Sequence, residues 1–436
     1  MRDFRGALAS LQAFRRKFEG LLAAARNKAA RAPAVPTGRP TRLRELTGFG
    51  ANPGNLRMFV YAPEGLPAKA PLVVALHGCT QTSAEYDHGS GWSSLADSLG
   101  FAVVYPQQQP ANNPKNCFSW FLPGDIARGT GEALSIREMV EHAVAAFAAD
   151  RRKVFVTGLS AGGAMASVML ATYPEVFAGG AIIAGLPYGC AGNVQQAFEA
   201  MFTERGHTAQ VLGDRVRAAS GHRGPWPKIS VWHGACDPIV RPSNGEDIIR
   251  QWTDVQGLSE TPSHQEFIGS YTRRIWSDAN GEILIEAFSV SGMAHGVPLA
   301  TTVEDSCGSP GAFFLDVGIS STRHIARFWS LHESAVEVLA PAPVPASVQI
   351  PDDGEISVIA GAVAEDAHSS EKTSLAEAEE RQTGYPPDDP NAIIAAAFRA
   401  AGLPVPEFQA APLGTPPRVA PGPIIAAALK AAGLTD

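Results

Sequence analysis

The segment Gly158-Leu159-Ser160-Ala161-Gly162 follows the apolar run Lys153-Val154-Phe155-Val156-Thr157 and precedes the helix-like stretch Gly163 to Leu170. A serine therefore stands between a strand and a helix, the layout of a nucleophile elbow. Small residues two before and two after it let the backbone turn sharply, which pushes the Ser160 hydroxyl into the open while the helix start aims free N–H groups toward it. In a chain with 43 glycines the pattern alone recurs by chance, so its context carries the weight. Upstream, Pro71 to Leu76 reads as a buried parallel strand and runs directly into His77-Gly78-Cys79.

Further strand-like runs recur at 101–105, 180–183 and 229–232, separated by helix-like stretches at 131–149 and 244–255. That alternation predicts an α/β fold built on a doubly wound, mostly parallel sheet. An early strand falls at 56–61. A hairpin is expected from 272–276 and 283–288 around the turn Asp278-Ala279-Asn280-Gly281, closing the far edge of the sheet. A last helix over 320–332 presents Ile325, Phe328 and Trp329 to the core. The 436 residues, 45% of them apolar, suffice for one large domain with appendages, and no apolar run is long enough to predict a membrane span.

Charge divides the chain: residues 1–44 carry a net charge of +9, so −17 of the total of −8 falls on the rest. Phe4, Leu8, Leu11, Phe14, Phe18, Leu21 and Leu22 recur at helical spacing, so residues 3–26 read as a basic amphipathic helix. It either lies on an anionic or apolar surface or folds back on the main domain. No secretory signal is legible in it. A Pro- and Arg-containing linker over 31–40 follows, giving three parts: 1–41, a domain over 42–335, and an Ala/Pro-rich tail over 336–436 in which order is expected to be largely lost. Within the tail, 390–403 returns as 423–434, each copy with proline at its start and glycine near its end, as short helices have. Such helices are marginal alone, which suggests either two docking motifs for a polymer granule or protein partner, or incidental helices. The acidic body lacks basic aromatic stripes and gives no case for nucleic acid.

A serine nucleophile needs a base, and the base needs a carboxylate that fixes its tautomer. On this fold the chain order is Ser, then Asp or Glu, then His. Asp237 stands just past the strand-like 229–232, where ligands of open α/β sheets gather. Of the histidines after it, His295 lies in the small-residue loop Ser291 to Gly296 after the last strand, whereas His324 and His332 sit on the terminal helix. His295 is thus the expected base. His233 and His77 are expected to be structural. The N–H groups of Ala161 and Cys79 fall where an oxyanion hole is built. No metal-ligand spacing occurs among the five cysteines, and this chemistry requires neither metal nor organic cofactor.

Four motifs occur together and in order: His77-Gly78-Cys79-Thr80-Gln81-Thr82, Cys117-Phe118-Ser119-Trp120-Phe121, Gly158 to Gly163, and Phe314-Leu315-Asp316-Val317-Gly318-Ile319. With them the chain resembles the poly(3-hydroxybutyrate) depolymerase family of esterases over roughly residues 45–332. The resemblance implies an α/β-hydrolase fold that cleaves esters of short-chain polyhydroxyalkanoates, with Ser160, Asp237 and His295 as triad and Cys79 in the oxyanion hole. It also implies two candidate disulfides, Cys79–Cys117 and Cys236–Cys307, with free thiols at both sites as the alternative. The aromatic Trp120, Phe118 and Phe121 either line the acyl pocket or fill core. The same domain type is similar to feruloyl and acetylxylan esterases, which makes a carbohydrate ester the alternative substrate. A surface- or granule-associated binding protein with an inactive core is the alternative of another class. Family members that attack polymer outside the cell have a signal peptide and a separate substrate-binding domain, and neither is visible in the sequence.

Overall fold

The computed structural model describes residues 2–30, 41–302 and 306–331. The linker over 31–40, His332 and the tail with both repeats lie outside the described residues. Helix α1 (Arg2–Ala30) opens the chain, followed by strands β1 (Arg44–Leu46), β2 (Arg57–Tyr61) and β3 (Leu72–Leu76). Helices α2 (Ser83–Ser90) and α3 (Trp92–Leu99) lead to β4 (Ala102–Gln107), and α4 (Pro123–Ile126) and α5 (Gly131–Phe147) lead to β5 (Val154–Leu159). Next come α6 (Ala161–Thr172), β6 (Gly179–Ile183), α7 (Val194–Phe202), α8 (Ala209–Ser220), β7 (Lys228–Gly234) and α9 (Ser243–Gln256). The described chain ends with β8 (His264–Ile268), β9 (Tyr271–Ser277), β10 (Ile283–Val290), β11 (Val297–Leu299), β12 (Phe314–Asp316) and α10 (Ser321–Phe328).

Ten strands form one sheet in the order β1-β2-β4-β3-β5-β6-β7-β10-β9-β8. From β4 to β10 the six middle strands run parallel. Every residue of β3, β5 and β6 is buried. Strands covered on both faces need apolar side chains throughout rather than in alternation, which explains the continuous runs. Helix α6 is buried at every position and packs on β5 and β6.

The expected hairpin exists as β9 and β10, but it does not close the edge. Strand β10 pairs in parallel with β7, and β9 carries the additional strand β8 on its other side. Exposed at His264, Gln265, Phe267 and Ile268, β8 lacks the alternation that marks a half-buried strand. In the turn, Gly281 takes the positive φ of 84°. Strands β11 and β12 form a small parallel pair beyond β10, so the loop after β10 is not the last strand-to-loop junction. The terminal helix is shorter than expected, with Ile325 and Trp329 buried and Phe328 only half-buried. Trp329 stacks on Phe155 (centroids 4.7 Å apart) and Trp92 (5.8 Å), anchoring α10 against β5.

Helix α1 folds back on the body. Phe18 and Leu22 are buried, and Phe14 stacks on Phe198 and Phe202 of α7 at 6.5 and 6.0 Å. Each such apolar side chain contributes roughly 1.5–3 kcal/mol on burial. Among the described residues, no helix is long and apolar enough to cross a membrane.

Candidate active site

Strand β4 follows β3 on one side and β5 returns on the other, so the sheet order reverses between β3 and β5. Open α/β sheets bind ligands at such a reversal, outside the carboxyl ends of the strands. The loop after β3 carries Cys79, and β5 runs directly into Ser160. Asp237 follows β7 and His295 follows β10. All four thus stand at the same end of the sheet.

Ser160 has φ 59° and ψ −117°, a strained conformation for a residue with a side chain. It is held there from both sides: its N–H donates to Ile183 O (2.9 Å), and its carbonyl accepts from Ala164 N (2.8 Å). The flanking glycines are required by space. A Cβ on Gly158 would lie 2.3 Å from Gly162 O, and one on Gly162 would lie 2.3 Å from Leu76 O. The turn is tight enough to press the start of α6 against the end of β3.

Asp237 Oδ1 accepts the N–H groups of Ile239 (2.8 Å) and Val240 (2.9 Å), while Oδ2 lies 2.7 Å from His295 Nδ1. A carboxylate can only accept, so His295 carries its proton on Nδ1 and presents the lone pair of Nε2. Burial would push the Asp237 carboxyl up, but His295 and His233 outweigh it and hold the group well below the usual carboxylate range. Asp237 is therefore held in its anionic form. His233 Nε2 donates to Val240 O (2.9 Å) and lies 3.4 Å from Asp237 Oδ2, so it serves the acid rather than packing beneath the site as filler. Backbone bonds from Ala235 N to Val290 O (2.9 Å) and Cys236 N to Met293 O (3.0 Å) join the two loops that carry Asp237 and His295.

On the other side, a disulfide links Cys79 to Cys117. Thr80 N donates to Lys115 O (2.6 Å), and Gln81 Oε1 accepts from Gly78 N (2.8 Å), which fixes the backbone around Cys79. Buried Glu132 supports the partner segment: its carboxylate accepts Ser119 N (2.8 Å) and Gln108 Nε2 (2.5 Å), and burial raises its pKa to about 7. His77 accepts Gln108 N on Nε2 (3.1 Å) and faces Gly78 O with Nδ1 (2.8 Å). Burial lowers its pKa to about 4, so it is a neutral, structural imidazole. The Ala161 N–H belongs to the first turn of α6, which has no intrahelical acceptor.

One expectation needs correction. Cys236 and Cys307 are both free: Cys236 is exposed after β7, whereas Cys307 is buried with its sulfur 3.7 Å from Ser320 Oγ at the head of α10. Phe118, Trp120 and Phe121 do not line the cavity at Ser160. Phe118 packs on His77 (4.9 Å), and Trp120 and Phe121 pack on each other (5.2 Å). The cavity is instead lined by Cys79, Gln81, Ser160, His295, Phe313 and Leu22 of α1, and its volume is only about 10 Å³. A larger concavity of about 550 Å³ lies elsewhere, beside Arg128, Glu138 and Tyr173, and holds no nucleophile–base pair. Among the described residues, no cluster could hold a metal ion.

Residues 56–267 match the family model described as Esterase PHB depolymerase. The poly(3-hydroxyalkanoate) depolymerase C of Paucimonas lemoignei is 47% identical over 300 residues, covering 68% of this chain and 72% of the relative. The chain belongs to the PHB depolymerase family of esterases. As a member it is a carboxylic ester hydrolase of α/β-hydrolase fold. An acetylxylan esterase of Coprinopsis cinerea is 37% identical over 62% of this chain and 72% of its own length. The solved acetyl xylan esterase from Aspergillus awamori aligns at a TM-score of 0.57 and 28% identity, over 66% of this chain and 99% of that one.

Sequence reasoning missed Leu22, Gln81 and Phe313 as parts of the cavity. Gln81 stands within a quoted motif, but nothing in a helical repeat such as that of α1 tells which residue will meet Ser160.

Proposed function

We propose that this esterase hydrolyses poly(3-hydroxybutyrate) or related short-chain polyhydroxyalkanoates through an acyl-enzyme on Ser160. The 47% identity to a poly(3-hydroxyalkanoate) depolymerase carries the substrate class. The convergence of Ser160, Asp237 and His295 at one end of the sheet supports the chemistry.

Ser160 Oγ attacks the ester carbonyl as its proton passes to His295 Nε2. The tetrahedral oxyanion rests on the N–H groups of Cys79 and Ala161. His295 then protonates the departing alkoxide, leaving the acyl group on Ser160. Water, deprotonated by the same nitrogen, releases the hydroxy acid and restores the serine. Asp237 holds the Nδ1 proton throughout and stabilises the imidazolium.

The acetylxylan esterases among the relatives favour a carbohydrate ester as second reading. The repeats 390–403 and 423–434 are proposed to attach the enzyme to polymer. Release of 3-hydroxybutyrate from amorphous granules by the full chain, against release of acetate from xylan, separates the substrates. Deleting 340–436 tests attachment: lost granule binding with unchanged hydrolysis of a soluble ester supports it, and unchanged binding removes it.

A further inference from the structure

We propose that α1 is a movable wall of the catalytic pocket, with Leu22 as the residue that decides which esters reach Ser160. Leu22 is buried at the cavity that holds Ser160 and His295. At about 10 Å³ that cavity takes roughly one water molecule, whereas ligand sites span roughly 300–1,000 Å³. With α1 docked the recess beside the nucleophile is far smaller than a ligand site, so widening it requires one of its walls to move.

The other walls are bonded in place. Cys79 is tied by its disulfide, Ser160 by Ile183 and Ala164, and His295 by Asp237. Phe313 is held by the bond from Val297 N to its carbonyl (2.8 Å). Helix α1 differs in kind. Among its described side chains, residues 12–26, no hydrogen bond or ion pair to the body occurs, and the ion pair Arg15–Glu19 is internal to the helix. It is held by ring contacts of Phe14 and Phe18 on α7 and by Lys17, whose ammonium lies 4.6 Å over the Phe202 ring. Burial and the like charge of Arg241 both disfavour the Lys17 ammonium at this spot. Apolar contact without directional bonds can be exchanged for another apolar surface with little to break.

The inference rests on Ser160 being the nucleophile, and its test separates the two. Full-length wild type, Leu22→Ala and the double variant Phe14→Ser/Phe18→Ser are labelled with a small and with a bulky fluorophosphonate, which react at an activated serine without needing ester recognition. Opening the wall is expected to raise the bulky-probe rate at least tenfold in the double variant and severalfold in Leu22→Ala, with a smaller rise for the small probe. Leu22→Trp, which fills the mouth, is expected to slow the bulky probe at least fivefold. Equal bulky-to-small ratios in Leu22→Trp and wild type would overturn the proposal even if the double variant folds poorly. Failure of the small probe to label any of these proteins would instead overturn the role of Ser160.

Discussion

Asp237 and His295 stand 58 positions apart in the chain, yet a carboxylate oxygen of one lies 2.7 Å from a ring nitrogen of the other. The parallel pairing of β7 with β10 brings their following loops together, and the backbone bonds of Ala235 and Cys236 fix the distance. With its carboxylate facing Nδ1, Asp237 selects the His295 tautomer.

Asp237→Asn tests that role. The amide accepts bonds from Ile239 and Val240 much as the carboxylate does, but its NH2 no longer fixes the proton on Nδ1. The expected result is a fall in kcat of about 10⁴-fold with little change in KM or melting temperature. A loss of less than tenfold would remove Asp237 from the triad.

The disulfide ties the loop carrying Cys79 to the segment held by Glu132. Cross-linking residues 38 apart in sequence stabilises the fold by about 4 kcal/mol on the chain-entropy account. Cys117→Ser is therefore expected to lower the denaturation free energy by a few kcal/mol and to lower kcat more than it raises KM. Unchanged stability in oxidised protein would show that the bridge does not form.

Gly162→Ala puts a Cβ 2.3 Å from Leu76 O and 2.5 Å from His77 O. The start of α6 must then retreat from β3, carrying the Ala161 N–H away from the oxyanion. Activity is expected to drop at least a hundredfold, well beyond the effect of Ala at a permissive helix position.

Glu132 supplies a pH signature. Its pKa is raised from 4.5 to about 7 in the folded protein, so between those values the folded state holds a proton that the unfolded state has lost. Its contribution is present in full below about 4.5 and fades as pH rises through about 7, with a slope of at most about 1.4 kcal/mol per pH unit. Urea denaturation at several pH values is expected to show this fall in wild type relative to Glu132→Gln. A rise of wild-type stability relative to the variant over this range would contradict the assignment.

How much was legible depended on where each constraint lies. The elbow was readable because β5 and β3 are buried on both faces and the space around Gly158 and Gly162 is set by residues within the motif or the quoted strand. Asp237 and His295 were readable as strand-end positions. Strand β8 was not, since an exposed edge imposes no apolar pattern on His264 to Ile268. The pairing of Cys236 with Cys307 failed because resemblance carries residue types but not the burial that leaves Cys307 beside Ser320. Whether Phe118, Trp120 and Phe121 serve core or pocket was left open in the sequence, because aromatic residues near a motif suit both equally well. The fold-back of α1 was one of two open readings. Its arrival at Ser160 depends on the match of Phe14 and Phe18 to Phe198 and Phe202, which no local pattern records.

The most direct measurement compares wild type with Ser160→Ala for release of 3-hydroxybutyrate from amorphous polymer and of p-nitrophenol from its butyrate ester. The account predicts hydrolysis of both by wild type and a loss of at least about 10⁴-fold on both in the variant. Hydrolysis of the small ester without release from polymer would contradict the polyester reading, and comparable rates in the two proteins would contradict the role of Ser160.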